Sequence, residues 1–240
     1  MLTFAETKRN KKELLALTGL TLKEYQWLLP EFERAYQQRY EGDKTRAGQP
    51  RQRKVGSGVV GRLDKLEDKL LFILVYQKTY PLQVVLGKLF AMGQPAANQW
   101  IHRLLPVLQD ALTALSFMPE RNGPQFATAE SKRREPPDYI IDGTERRRHR
   151  PKDLEKQALH YSGKKKLHTD KNIVVTSTKT NRVCFLSPTR PGTVHDKKLA
   201  DQAHIAYPRQ SVVHKDTAFQ GYEPKVKQTH QPKKNRVVNN

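Results

Sequence analysis

Tyr139-Ile140-Ile141-Asp142-Gly143-Thr144-Glu145 sets three large apolar residues ahead of a carboxylate, a glycine and a second carboxylate. β-branched and aromatic side chains favour extended backbone, so the run reads as a strand that delivers Asp142 to its end. Downstream, Ile173-Val174-Val175 and Val183-Cys184-Phe185-Leu186 flank a polar turn, Thr178 to Asn181, which is a hairpin signal. Thr193 to Ala203 fits a helix, and Ser211-Val212-Val213-His214-Lys215-Asp216 is another strand closing on a carboxylate. The order strand, strand, strand, helix, strand predicts an α+β or α/β layer with acidic groups at two strand ends.

An aspartate at a strand end is by default a turn former. The chemical reading is that Asp142 and Asp216 hold a divalent cation: Mg²⁺ takes oxygen ligands and commonly binds one or two carboxylates plus phosphate oxygens. Paired ions of this kind support phosphoryl transfer. Spacing alone leaves both readings open.

Ahead of these strands, up to about Leu115, the pattern is helical. Leu22, Tyr25, Leu29, Phe32 and Tyr36 recur every three or four residues, the period of one buried helix face. Thr21 and Glu24 form a capping box at its start, and Pro30 is expected to kink or restart the helix. Residues 42–61, rich in glycine and basic residues, read as a flexible basic connector. A second helix carries Leu63, Leu66, Leu70, Ile73 and Leu74. Pro81 then serves as first residue of a short helix through Phe90, Ala91-Met92-Gly93 is a turn, and Pro95 opens a longer helix with Ala97, Ile101, Leu104, Leu108, Leu112 and Leu115 on one face. Short helix, tight turn and longer helix describe a helix-turn-helix at about 62–116. Its second helix would present Gln94, Asn98, Gln99, His102 and Arg103, side chains suited to base edges. An ordinary helical hairpin with a polar outer face is the plainer alternative.

Charge supports a polyanionic partner. Lys and Arg number 44 against 24 Asp and Glu, a net +20 over 240 residues. Residues 1–120 hold 18 basic and 12 acidic side chains, a net +6, and residues 121–240 hold 26 and 12, a net +14. Such an excess draws in phosphate backbones through counterion release. The longest apolar run, Leu70 to Tyr76, falls far short of the roughly 20 residues of a membrane span, and no secretory signal opens the chain. The one cysteine, Cys184, excludes a disulfide framework and reads as a small buried apolar residue. The eight histidines lack ligand spacing. A soluble, cytoplasmic, DNA-associated protein is expected, with no membrane partner.

Five further segments surround the two aspartates in order: Arg150-Pro151-Lys152-Asp153; Tyr161-Ser162-Gly163-Lys164-Lys165-Lys166 with His168-Thr169; Ser187-Pro188-Thr189; Pro191-Gly192-Thr193-Val194-His195-Asp196-Lys197; and Asp216-Thr217-Ala218-Phe219-Gln220-Gly221-Tyr222. With Ile141 to Glu145 they closely resemble the DDE-superfamily transposases of bacterial insertion sequences, in the branch with a leading helix-turn-helix related to the Harbinger group. The resemblance is tight over 138–222 and looser over about 62–116.

The resemblance implies a ribonuclease-H-like core with a D, D, E triad and Mg²⁺ or Mn²⁺, two ions if the site is complete. Asp142 matches the first aspartate and Asp216 the second. Ala218 stands where the family usually has glycine, which would cost strain if that position needs positive φ. No position matches the third residue, a glutamate several tens of residues beyond Asp216, and Glu223 is too close to serve. The tail departs from the family after Lys233-Lys234, so a frameshifted short product or a decayed copy is expected, binding DNA but cleaving poorly. His195 and Asp196 are expected to support the core or contact DNA, with a helix start as the plainer reading. Arg146, Arg147, Arg148, Arg150, Lys164, Lys165 and Lys166 are expected to contact phosphates. The organisation so read is a helical region at 1–118, a linker at 119–137 and an incomplete core at 138–240. The expected partners are double-stranded DNA, as element terminal repeats and target, and a second copy or a full-length transposase. A DNA-binding regulator without catalysis is the alternative.

Overall fold

The computed structural model describes residues 1–40, 62–131 and 137–232. The expected connector at 42–61 and the change of character after Lys233 lie outside them. The chain divides into two compact units, Met1–Phe117 and Met118–Asn240.

The first unit is helical: α1 (Phe4–Thr7), α2 (Lys11–Thr18), α3 (Leu22–Tyr40), α4 (Leu66–Thr79), α5 (Gln83–Leu89) and α6 (Gln94–Ala114). The capping box forms, with the Glu24 amide donating to Thr21 Oγ1 at 3.3 Å and the Thr21 amide to Glu24 Oε2 at 2.7 Å. Pro30 does not interrupt α3, which runs unbroken through it. Burial of Tyr25, Leu28, Phe32 and Tyr36 on both sides of the proline offsets the roughly 3 kcal/mol that an interior proline costs. Eight consecutive residues of α4, Asp68 to Val75, are buried, marking it as the central helix. Tyr25 donates to the Glu67 carbonyl at 2.6 Å, and the Phe4 amide donates to Asp68 Oδ1 at 2.7 Å. The pair α5 and α6 enclose a turn in which Ala91 takes φ +53°. Pro81 lies two residues ahead of α5 rather than at its first position, whereas Pro95 sits in the first turn of α6.

The second unit holds α7 (Phe126–Ser131), β1 (Asp138–Arg147), α8 (Leu154–His160), β2 (Tyr161–Ser162), β3 (Leu167–Ser177), β4 (Val183–Leu186), β5 (Arg190–Pro191), α9 (Asp196–Ala203), β6 (Val212–Lys215) and β7 (Gln228–His230). The seven strands form one mixed sheet of order β2-β3-β1-β6-β7, with β4 and β5 also paired to β3. β1 runs antiparallel to β3 and parallel to β6, and β7 runs parallel to β6. Mixed sheet and helices make a ribonuclease-H-like α/β core. Alternation along β1 divides its side chains: Tyr139 and Ile141 enter the core, whereas Ile140 and Asp142 are exposed on the other face.

The stretch expected as a linker is largely built into this core. Glu120 pairs with Phe185 as an isolated bridge, and a 3₁₀ turn, Gly123–Gln125, leads into α7. Phe126 is fully buried, its ring 5.4 Å from Tyr139, 5.9 Å from Phe185 and 5.6 Å from Tyr207. A Cβ at Gly123 would lie 1.8 Å from the Ala203 carbonyl oxygen, so only glycine admits this approach. Proline, glycine and charge signalled a connector, and one aromatic anchor decided otherwise.

Candidate active site and nucleic-acid interface

Ile141 of β1 is the register partner of Lys215 in the parallel strand β6. One position further along lie Asp142, inside β1 rather than at its end as expected, and Asp216, just past the end of β6; neighbouring strands are usually about 4.8 Å apart. Both are exposed. Asp142 Oδ1 accepts the Gly143 amide at 2.7 Å, and Asp216 Oδ1 accepts the Ala218 amide at 2.9 Å while capping the 3₁₀ turn Thr217–Phe219. Only Asp216 is thus a turn former; Asp142 accepts the next amide from within a strand, and each carboxylate engages one oxygen in its backbone bond. Ala218 sits in that turn and is not among the residues with positive φ, so the expected strain is absent.

The two carboxylates line a cleft of about 770 Å³ with Ile140, Thr178, His214 and His230. The His214 and His230 rings stack at 4.9 Å, and His214 Nε2 lies 3.0 Å from Asp138 Oδ1. Sequence reasoning missed this pair. His214 could have been found, because strand alternation puts it on the face of Val212 and Asp216, but β7 carries no strand signal. Two oxygen donors side by side, each with a free oxygen, suit a hard cation that completes its shell with water and phosphate. Among the described residues, however, no three His, Cys, Asp or Glu side chains gather to hold a metal ion. Glu223 is mostly exposed and lies 3.4 Å from Lys215 Nζ, away from this role.

On the core face of β1 lies a second constellation. Lys171, paired in register with Glu145, is buried, with Nζ 3.2 Å from Glu145 Oε1, 3.0 Å from Asp196 Oδ1 and 3.1 Å from the Val194 carbonyl. Burial raises the Glu145 pKa, but hydrogen bonds from Ser162, Lys171 and Thr169 and the Lys171 charge outweigh it and hold Glu145 below the ordinary carboxylate value. His195 caps α9 by accepting the Lys197 amide at 3.3 Å, and Asp196 is the first helical residue. The Asp196 carboxylate lies close against Gly143, where a Cβ would sit 2.5 Å from its Oδ1.

The expected phosphate contacts fall into separate groups. Arg147, Arg148 and Arg150 line a groove of about 540 Å³ with His149 and His168. Arg148 is tied to Asp170 at 2.9 Å and Arg150 to Gln157 at 2.9 Å, whereas Arg146 reaches Asn172 at 2.9 Å. Lys164, Lys165 and Lys166 are exposed in a turn, and Lys164 borders the pocket that holds Glu145 and Asp196 rather than the arginine groove. On α6, Gln99 and His102 are exposed, Asn98 is half-buried, and Gln94 donates to Gln83 at 2.9 Å. Arg103 differs from these four. Its guanidinium stacks 4.4 Å from the Tyr40 ring and 5.1 Å from Trp100, and its Nε is buried. It packs as a cation–π anchor between Trp100, one helical turn away, and Tyr36 and Tyr40, distant in sequence.

A helix-turn-helix ahead of a ribonuclease-H-like sheet with two carboxylates on adjoining segments of that sheet defines a nucleic-acid-processing protein. Residues 141–240 match the family described as DDE superfamily endonuclease, and residues 61–114 match the helix-turn-helix of DDE superfamily endonuclease. Both regions thus match one superfamily, that of transposase-type, DNA-binding endonucleases. No curated protein and no solved structure matches it. Domains of this superfamily generally depend on a divalent metal. Among the described residues no helix is long and apolar enough to cross a membrane.

Proposed function

We propose that this chain acts on the ends of a mobile DNA element of the insertion-sequence type. In this reading α6 offers Gln94, Asn98, Gln99 and His102 to terminal-repeat bases, while Arg147, Arg148, Arg150 and the lysine turn hold backbone phosphates. Asp142 and Asp216 would hold Mg²⁺ or Mn²⁺, which when bound lowers the pKa of an attacking water and stabilises the leaving oxygen. The carboxylates orient that centre, each braced by a backbone amide, and the basic groove holds the strand in place. The partners are the element ends, target DNA and a second copy of the chain or a full-length transposase, and the protein resides with cytoplasmic DNA. The observation that carries the reading is the adjacency of Asp142 and Asp216 on parallel strands.

One observation favours a second reading, a DNA-bound regulator that does not cut: among the described residues no third His, Cys, Asp or Glu joins the two aspartates. The test incubates the 240-residue chain with DNA carrying the element's terminal repeats, with Mn²⁺ or EDTA. Specific binding with metal-dependent nicking that Asp142→Ala abolishes supports the endonuclease. Specific binding without nicking supports the regulator, and nicking that survives Asp142→Ala overturns the site.

A further inference from the structure

Three contacts connect the buried lysine to the exposed carboxylate. Lys171 Nζ touches Glu145, Asp196 and the Val194 carbonyl, so one ammonium ties the entry to α9 to the Glu145 side chain of β1. Asp196 in turn lies over Gly143 so closely that a Cβ there would meet its Cγ at 2.7 Å. The Gly143 amide donates to Asp142 Oδ1 at 2.7 Å. The Gly143 amide therefore ties up one Asp142 oxygen, and any shift of that amide changes how the carboxylate is held.

We infer that Lys171 and Asp196 are positioning residues for Asp142, acting through Gly143 from the opposite face of the sheet. The inference rests on the reading of Asp142 as a metal-binding carboxylate, and it makes the glycine of the Asp-Gly-Thr segment a point of contact rather than a turn requirement: φ at Gly143 is not in the left-handed region. The network would be felt as metal affinity, as the groups that orient a ligand commonly are. Asp196 touches no DNA in this account.

The experiment uses the isotope-labelled 240-residue chain and its Asp196→Asn, Lys171→Arg and Asp142→Asn variants, followed by NMR with Mn²⁺ as the probe. Asp196→Asn keeps the shape but breaks the ion pair. It is expected to move the Gly143 amide resonance and to weaken Mn²⁺ broadening at Asp142 by about tenfold. Lys171→Arg, which keeps the charge but not the length, is expected to show a smaller loss of the same kind and supplies the folded variant should Asp196→Asn not fold. An unmoved Gly143 amide with unchanged Mn²⁺ affinity in Asp196→Asn overturns the positioning role. If the unaltered chain shows no Asp142-dependent broadening, the metal reading fails. The Gly143 amide alone then decides the coupling, with a shift supporting it and no shift overturning it.

Discussion

Replacing Lys171 with methionine keeps the volume of the side chain and removes its charge from between two carboxylates. In the native protein the side chains of Lys171, Glu145 and Asp196 are 8%, 10% and 20% exposed. Removing one partner from a buried ion pair costs about 3–5 kcal/mol, because the charge left behind stays desolvated. Asp196 is the least buried of the three, so a loss of about 3 kcal/mol is expected at pH 7. For a unit of this size that corresponds to a fall in melting temperature of roughly 10–15 °C. Both tryptophans, Trp27 and Trp100, lie in the first unit, so tryptophan fluorescence serves as an internal control that should not move, while far-UV circular dichroism follows the sheet. The sign of the pH dependence follows from Glu145. In the native protein its pKa lies below the ordinary 4.5, so its contribution is present above that pH and fades on acidification below it. Without Lys171 two of the contributions that hold that pKa down are lost while the burial penalty stays, so the folded pKa moves upward from its native position. The gap between native and variant stability should therefore narrow as pH falls through the carboxylate range. A loss below about 1 kcal/mol, or a gap that widens on acidification, would refute the buried-network argument.

Three further outcomes are expected. Phe126→Ala should cost about 3–5 kcal/mol, the usual penalty for a fully buried phenylalanine, in the melting of the second unit; an effect below 1 kcal/mol would return residues 120–131 to the status of a linker. Gln99→Ala should leave stability within about 0.5 kcal/mol and weaken terminal-repeat binding by about 1–3 kcal/mol, whereas Arg103→Ala should lower the melting of the first unit by about 1 kcal/mol. Tryptophan-monitored melts and gel-shift titrations separate the two effects. Replacing Arg147 and Arg150 together with glutamine should flatten the plot of log affinity against log salt by about 2, equally for specific and random DNA; an unchanged slope would remove that groove from the DNA path.

Much of the helical unit was legible because its signals are local. The Thr21–Glu24 box, the apolar period of α3 and the Pro95 start of α6 all depend on neighbours within four residues. Pro30 was misjudged for the same reason: its local cost is real, and burial from elsewhere outweighs it. Gln99 and His102 were found on an exposed helix face by periodicity alone, but Arg103 belongs to an aromatic cluster whose members lie up to 67 residues away in sequence. His230, Phe126 and Lys171 were invisible as site or core residues for that reason.

Sequence alone determined the longer helices, the four main strands, the two aspartates that follow apolar runs and the basic excess of the second half, since periodicity, residue type and charge are properties of the chain itself. Tertiary structure decided the rest. It made β1 and β6 parallel neighbours, and so brought Asp142 and Asp216, 74 residues apart in number, onto adjacent strands. It also closed Asp196 over Gly143 and buried Lys171 between two carboxylates. Register and burial are relations between distant segments, set by which faces pack together, and no local pattern encodes them.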